Sequence, residues 1–540
     1  MTSTGTHLLA IEVERFKSYQ KRTRLDVTPI TVLIGRNNSG KSAFIQPLLL
    51  LKQALAIARP ELVLNLAGEF ISARNIRDLT HGWPGQASTV LGPAFAIEWE
   101  TIVDIPATQE RWVSSQLSTV AERAGLRWLH QGGKQTLTVR MDMTFQELEG
   151  TTTIKDLTFT LLKPESDAFT LGRPKPGATA EFRRTGSGGF GMTWNDQLAA
   201  TEADIKFDHF LPYIDISHIQ LARNDSRRAY LNGWLTCFAS AIEDLRILLG
   251  DMQYLSSARD APKERNEPVS APPNSVGANG ALAADLFKSR GGDLVHYPPP
   301  LALDEDSVTA ANAVRERPLR SAVNDVLTEL GVDGGFSIED ADVFGYRLLF
   351  GRASLPHVGR GLTYLLPVVE VGLLGDPCRF TAIGDDLPIA QYSARAGRSS
   401  LIALEEPESH LHPKVQSRLA QWFVALARCQ RQFIIESHSD HFVRRLRGLV
   451  ARAGAGTALE AWLLESVRIY AVTQSNGVSE LTAMKLTSAG GLEDWPEDFM
   501  DEASQEDSAI YYAGLSKQEP HEVAQKFIHD EGGPEPEADT

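Results

Sequence analysis

The sequence predicts an α/β fold: a core with parallel strands that carries a phosphate loop, interrupted by an antiparallel β lobe. Three observations predict it. The octamer GRNNSGKS (Gly35 to Ser42) directly follows an apolar strand and precedes a helical run. From Ser399 to Ser437 a strand, a helix and a second strand alternate, as in a parallel α/β core. Between these blocks, Ala94 to about Phe182 alternates apolar and polar residues with the period of half-buried strands.

Taken in order, LLAIEVERF (Leu8 to Phe16) reads as a strand and PITVLIG (Pro29 to Gly35) as a second, fully buried one. After Ser42 the run AFIQPLLLLKQALAIA has helical spacing, and Pro47 inside it should kink that helix. In TLTVRMDMTF the residues Leu137, Val139, Met141, Met143 and Phe145 share one face, and TTIKDLTFTLL (Thr152 to Leu162) follows a glycine turn. Antiparallel strands with one wet face are expected there. TGSGGF (Thr185 to Phe190) reads as a loop, and Tyr230 to Leu249 as helix. Pro262, Pro268, Pro272 and Pro273 mark Arg259 to Gly280 as an exposed loop or linker, and Pro298 to Pro300 make a second break. Helical patterns resume near Ala310, and strand and helix alternate from Tyr346 to Glu436. Asp530 to Thr540 holds five acids and no base, which predicts disorder.

Composition narrows the function classes. Of 540 residues 42% are hydrophobic, enough for a sizeable core. No run of about 18 apolar residues predicts a membrane helix, and the polar stretch Met1 to His7 lacks a secretory pattern. Cys237, Cys378 and Cys429 lie far apart without CxxC spacing, which excludes a disulfide scaffold or zinc ribbon and fits a reduced, cytoplasmic protein. The balance of 53 basic and 69 acidic residues, −16 net, argues against non-specific nucleic-acid coating. Two basic clusters remain open as either a solvated face or a DNA groove: Lys17, Lys21, Arg22 and Arg24, and Arg444, Arg445 and Arg447.

The octamer fits G-x-x-x-x-G-K-[ST] in full. Gly35 and Gly40 allow the loop, with Asn37, Asn38 and Ser39, to turn N–H groups inward onto phosphate oxygens. The following helix N-terminus adds positive potential. Lys41 is expected to reach the β- and γ-phosphates, and Ser42 to offer its hydroxyl to Mg²⁺. In SSLIALEEPESHLHP (Ser399 to Pro413), the apolar run Leu401 to Leu404 delivers Glu405 and Glu406 at a strand's carboxyl end. Glu405 is then a candidate for the Mg²⁺ shell and Glu406 for polarising the attacking water. RQFIIESHSDHF (Arg431 to Phe442) supplies another buried strand, so Ser437 and His438 reach the same edge. His438 is expected to meet the γ-phosphate or the water. Glu408, His410 and His412 lack further ligands at zinc spacing, so a nucleotide-proximal loop is preferred to a metal site.

Together these blocks resemble ABC-type ATPases of the SMC, RecF and OLD branch, and most nearly prokaryotic AAA-type predicted ATPases with a short C-terminal module. The family's "F-K-S" strand end and "VLIGxNNSGKS" are matched by Leu8 to Ser18 and Val32 to Ser42. Its "EEPExHLHP" is matched by Glu405 to Pro413, and its "ESHSxH" by Glu436 to His441. YLSSARDAP (Tyr254 to Pro262) resembles "YLGPLRxxP", and WPEDFMDE (Trp495 to Glu502) resembles "WPEGFFDE". The resemblance implies a signature loop at HVGRGLTYLLPVV (His357 to Val369), in which Gly359, Gly361 and Thr363 would contact ATP held by a second subunit. Tyr364 stands where glutamine is usual; for the Q-loop glutamine, Gln46 and Gln86 are candidates.

By that resemblance the chain divides into a P-loop part (residues 1–93), an antiparallel β insertion (94–215), a helical lobe with a proline-rich linker (216–345), the second ATPase half (346–450), an accessory module (451–520) and an acidic tail (521–540). It implies two chains sandwiching two ATP molecules with Mg²⁺. A separate effector protein and a DNA-linked or phage-defence role are implied; DNA as a partner stays open. No Asp-x-Asp pair follows His438, against a Toprim nuclease. The alternative is an ATP-gated scaffold that hydrolyses slowly and holds a partner.

Overall fold

A wholly buried run and a half-buried alternating one sort the strands into two principal sheets. The computed structural model describes residues 5–84, 89–105, 133–162, 178–184, 190–194, 198–200, 205–214, 227–267, 269–299, 313–340, 345–493, 506, 509–510 and 512–513. Strands β1 (His7–Glu14), β2 (Thr23–Asp26) and β3 (Ile30–Gly35) precede helix α1 (Gln46–Leu55). Pro47 does not kink a long helix. A 3₁₀ turn, Lys41–Phe44, intervenes, and Pro47 sits in the first turn of α1, where a missing N–H costs no helical bond.

The antiparallel lobe comprises β4 (Thr89–Ile105), β5 (Gly133–Leu148), β6 (Thr151–Leu162), β7 (Ala178–Arg184), β8 (Phe190–Trp194) and β9 (Leu198–Ala200), in a sheet of order β2-β1-β4-β5-β6-β7-β8-β9. The first strand of the chain therefore belongs to this lobe. The expected alternation holds: Leu137, Val139, Met141, Met143 and Phe145 of β5 are all buried. A short hairpin follows, β10 (Ile205–Asp208) and β11 (Leu211–Ile214). The sheet's apolar face packs on helix α2 (Arg227–Asp251), where Phe159 meets Phe238 edge-on at 4.5 Å. Its wet face carries an ion-pair network in which Arg140 forks onto Glu12 at 2.7 and 2.8 Å. Arg22 pairs with Asp142 and Arg24 with Glu98 in the same network, so these arginines serve the sheet's own acids. The loop expected at Thr185 to Phe190 lies almost wholly outside the described residues.

Strand β12 (Gln253–Leu255) leads into the proline-rich stretch, then α3 (Ala283–Ser289) and β13 (Leu294–Tyr297). Where helix was expected to resume, the described chain first forms β14 (Ala313–Pro318), and helix α4 (Leu319–Leu330) begins after Pro318. Strands β15 (Phe336–Asp340), β16 (Tyr346–Phe350) and β17 (Ala353–Ser354) form a small antiparallel sheet, so Tyr346 does not open the parallel core. After α5 (Arg360–Leu374), β18 (Leu387–Pro388) and α6 (Ile389–Ala396), the core resumes with β19 (Ser400–Glu405), α7 (Pro413–Ala427), β20 (Arg431–Ser437) and α8 (Asp440–Arg452). It closes with α9 (Ala458–Ser466), β21 (Val467–Ser475), β22 (Val478–Leu486) and β23 (Leu492–Glu493).

The main sheet has the order β12-β19-β20-β3-β21-β22-β23, parallel from β12 to β21 and antiparallel beyond. VRIYAVTQ and SELTAMKL, expected in an accessory module, thus join this sheet, with β21 directly beside the phosphate-loop strand. Gln432 of β20 brackets the backbone of Leu8 with two hydrogen bonds, at 2.8 and 2.9 Å, stitching the two sheets together. One continuous core runs from Leu33, Leu401 and Ile434 to Phe95, Met141 and Phe159.

The chain divides into two compact units, Met1–Glu493 and Asp494–Thr540. In the second, Glu506, Ala509, Ile510, Tyr512 and Ala513 are helical, while the WPEDF block and the acidic tail lie outside the described residues. Among the described residues no helix is long and apolar enough to cross a membrane.

Candidate functional site

Because β12, β19, β20 and β3 run parallel, the loops that follow them emerge at one edge of the sheet. After β3 the chain turns through Arg36 to Gly40. A Cβ at Gly35 would lie 2.3 Å from the Val472 carbonyl oxygen, and one at Gly40 2.6 Å from both Ser18 Oγ and Ser479 Oγ. Gly40 also has φ +101°, which disfavours other residues. Asn38 adopts φ 61° and Asn37 is exposed. Ser39 is buried, and its carbonyl accepts from Ser479 Oγ at 2.5 Å. The β21–β22 hairpin therefore clamps the loop from behind, a role that sequence reasoning missed.

Lys41 is 6% exposed and donates its ammonium to the carbonyls of Gly35 and Arg36, at 3.1 and 2.9 Å. Burial pulls its pKa down, opposed by the carboxylates of Glu436, Glu406, Glu405 and Glu408. Ser42 Oγ donates to Glu436 Oε2 at 3.1 Å. Glu436, in the quoted ESHS motif but without an expected role, is 5% exposed, and its other oxygen, Oε1, has no hydrogen-bond partner. Burial and then repulsion from Glu405 push its pKa up, against the Ser42 bond and Lys41.

Glu405 and Glu436 are register partners on adjacent parallel strands. The Glu405 carboxylate accepts from Tyr254 Oη at 3.0 Å and from Ser257 N and Oγ, each at 3.3 Å. Arg259 donates Nη2 to the carbonyls of Glu405 and Glu406, at 3.1 and 2.9 Å, with its Nε and Nη1 buried and unpartnered. The expected linker is thus, at its start, a buckle over the strand end. The resemblance of YLSSARDAP to "YLGPLRxxP" was the sequence signal for it.

Glu406 itself has φ 45°, the left-handed region that a glutamate seldom occupies. Its N–H donates to Glu436 O at 2.8 Å, and its Oε2 accepts from Ser409 Oγ at 2.9 Å. His438 Nε2 stands 3.9 Å from Glu406 Oε1, and burial with nearby Lys41 lowers its pKa, favouring neutral imidazole. Its backbone N–H donates to Glu408 Oε1 at 2.8 Å, which also accepts from Ser437 Oγ at 2.7 Å. Glu408 therefore faces inward, His412 caps α7, and His410 lies 5.3 Å from the Tyr364 ring. Among the described residues no three His, Cys, Asp or Glu side chains converge as a metal cluster.

Lys17, Asn38 to Ala43, Gln46, Trp83, Glu436 and Gln474 line a cleft of about 840 Å³. Gln46 faces it with an unpartnered Oε1; Gln86 lies outside the described residues. Glu405, Glu406 and His438 stand beyond this lining, and so do Gly359, Gly361 and Thr363. Gly359 caps α5, and a Cβ at Gly361 would meet the His410 carbonyl at 2.5 Å. Thr363 and Tyr364 border a separate small pocket with Arg259. The structure thus brings Lys41, Ser42, Glu405, Glu406 and His438 to one edge and leaves the glycine pair apart. Arg444 pairs with Asp440 at 2.6 Å and Arg447 donates to Gly490 O at 2.7 Å, so both have partners within the chain.

Both halves of this edge match AAA ATPase models. Residues 7–80 match "AAA ATPase domain", and residues 386–444 match "AAA domain, putative AbiEii toxin, Type IV TA system". The chain thus carries AAA-type ATPase sequence on both flanks of its β lobe. No curated protein matches it. Among solved structures it is similar to an SMC head bound to the C-terminal winged-helix domain of ScpA, at 12% identity and TM-score 0.37, covering 89% of this chain and 99% of that one. It is also similar to the SMC head domain from Thermotoga maritima, at 11% identity and TM-score 0.30, covering 88% and 98%. A third is an SMC head with an extended coiled coil bound to the C-terminal domain of ScpA derived from Pyrococcus furiosus, at 10% and 0.35, covering 89% and 97%. Scores this low carry no argument about function.

Proposed function

We propose that this protein binds and hydrolyses ATP with Mg²⁺ as an ATP-sandwich homodimer. The observation that carries the reading is the convergence of Lys41, Ser42, Glu405, Glu406 and Glu436 at the carboxyl edge of three adjacent parallel strands. The loop fits a phosphate, since at Gly35 and Gly40 a side chain would fill the turn. The donors fit Mg²⁺: a serine hydroxyl and carboxylates are hard oxygen ligands, and Glu436 keeps one buried oxygen unpartnered. Bound Mg²⁺ would neutralise charge developing on the β- and γ-phosphates.

The chain's own groups have distinct tasks. Lys41 exchanges two loop carbonyls for phosphate oxygens. Glu405, held by Tyr254 and Ser257, would hold the Mg²⁺ together with Ser42. Glu406 polarises the attacking water, and neutral His438 donates to the γ-phosphate or that water. Gly359, Gly361 and Thr363 lie away from their own chain's cleft, which supports contact with ATP bound by a second copy. The second family match, described as "AAA domain, putative AbiEii toxin, Type IV TA system", supports a place in a defence system, to which the proposal adds a separate effector.

Turnover of the wild type against Glu406→Gln tests this. Measurable hydrolysis abolished by the change supports the ATPase. Background activity in both would instead favour an ATP-gated scaffold. Lys41→Ala should lose ATP-dependent dimerisation, and a persisting dimer would sink the sandwich.

A further inference from the structure

We infer that Glu436 is a direct ligand of the divalent cation, completing with Ser42 and Glu405 the cation site of the nucleotide cleft. This rests on the ATP reading above. Four observations lead to it. Glu436 lines the cleft and is flanked by Glu405 on β19 and by the phosphate-loop strand β3. Its Oε2 takes the single proton of the Ser42 hydroxyl. That leaves the hydroxyl's lone pairs, the ones a cation uses, free. Its Oε1 is buried with no partner, an uncommon state that asks for a ligand or ion. Finally, two neighbouring carboxylates at register positions repel one another, and a cation held between them and the phosphates would relieve that repulsion.

A lone serine and one carboxylate would suffice for a weakly held ion. Mg²⁺ in nucleotide sites is commonly bound through one or two carboxylates plus phosphates and water, and the second carboxylate here is Glu436. Its main chain adds a further tie, because Glu436 O holds the N–H of Glu406 at 2.8 Å. The cation site and the water-polarising residue therefore meet at one sheet edge.

The alternative role is orientation of Ser42 alone, and Glu436→Gln separates the two. The amide oxygen still accepts the Ser42 proton at nearly unchanged volume, while the charge is lost. The experiment measures Mn²⁺ affinity in the presence of a non-hydrolysable ATP analogue, and analogue affinity in EDTA. The expected result is a loss of Mn²⁺ affinity larger than the roughly 10–100-fold that loss of an outer-shell partner costs, with metal-free analogue binding retained or tightened. A loss within that range, or none, in Glu436→Gln overturns the inference and leaves the ATP reading standing. A wild type that binds no analogue under either condition overturns both. If Glu436→Gln does not fold by circular dichroism, Glu436→Asp in a Ser42→Ala background decides: a further loss of Mn²⁺ affinity over Ser42→Ala alone supports the ligand role, and no further loss refutes it.

Discussion

Arg259 is the residue whose removal should separate positioning from binding. Its Nη2 holds the carbonyls of both Glu405 and Glu406, at 3.1 and 2.9 Å, and Glu406 is kept at φ 45°. A non-glycine residue in that region costs roughly 1–3 kcal/mol and persists only when its surroundings enforce it. Each charge-assisted hydrogen bond contributes about 1.5–3 kcal/mol. Burial already disfavours the guanidinium charge, so part of that gain is offset. With one bond's worth taken as the net, Arg259→Ala should release Glu406 and lower kcat about 10–100-fold. Arg259 holds only the main-chain carbonyls of Glu405 and Glu406 and none of the phosphate-loop residues, so metal-free affinity for an ATP analogue should hold. Arg259→Lys, with a point charge and no fork, should fall between. Steady-state hydrolysis with parallel analogue titration is the assay. A wild-type kcat in Arg259→Ala, or a loss confined to affinity, would refute the reasoning.

Two further expectations follow from packing and charge. Gly40→Ala places a Cβ 2.6 Å from two serine oxygens at φ +101°, and overpacking costs about 1–3 kcal/mol, so ATP affinity should fall about tenfold or more. Gly150→Ala, at φ +79° with nothing within 4 Å, carries comparable backbone strain without the clash and should bind normally in the same fluorescence titration. Burial alone would raise the pKa of Glu12, but Arg140, Arg24 and Arg22 hold it down at about 2, against 4.5 ordinarily. A depressed carboxylate stabilises above its unfolded value and loses that contribution as pH falls through the folded one. The stability gap between wild type and Glu12→Gln, read from urea midpoints, should therefore shrink as pH falls from 4.5 towards 2. A gap that stays constant or widens would count against the network.

Some of this molecule is written in short stretches of chain. The buried run ITVLIG and the alternation of TLTVRMDMTF each depend on neighbours a few residues away, and each appears as the expected strand. Pro47 is instructive in the other direction: helical spacing was right, but the chain spends its first turn as a 3₁₀ turn, which moved the proline to a harmless position. Of YLSSAR only Arg259 fell in the expected linker, and what its tyrosine and serine do shows only once β12 pairs with β19 and brings them over Glu405. The hairpin β21–β22 reads as a pair of half-wet strands, and nothing local in it says that β21 will lie beside β3.

The sequence by itself determined the glycine-rich loop after a buried strand, the apolar strand that ends in Glu405, the antiparallel lobe and the residue types of the site, because period, burial and backbone freedom are local properties. Tertiary structure alone decided the rest. Ser42 and Glu436 are separated by 394 positions, and their hydrogen bond exists only because three parallel strands end at one edge. Which strand neighbours which is a free-energy choice over the whole core, made by long-range burial that no short stretch of chain encodes.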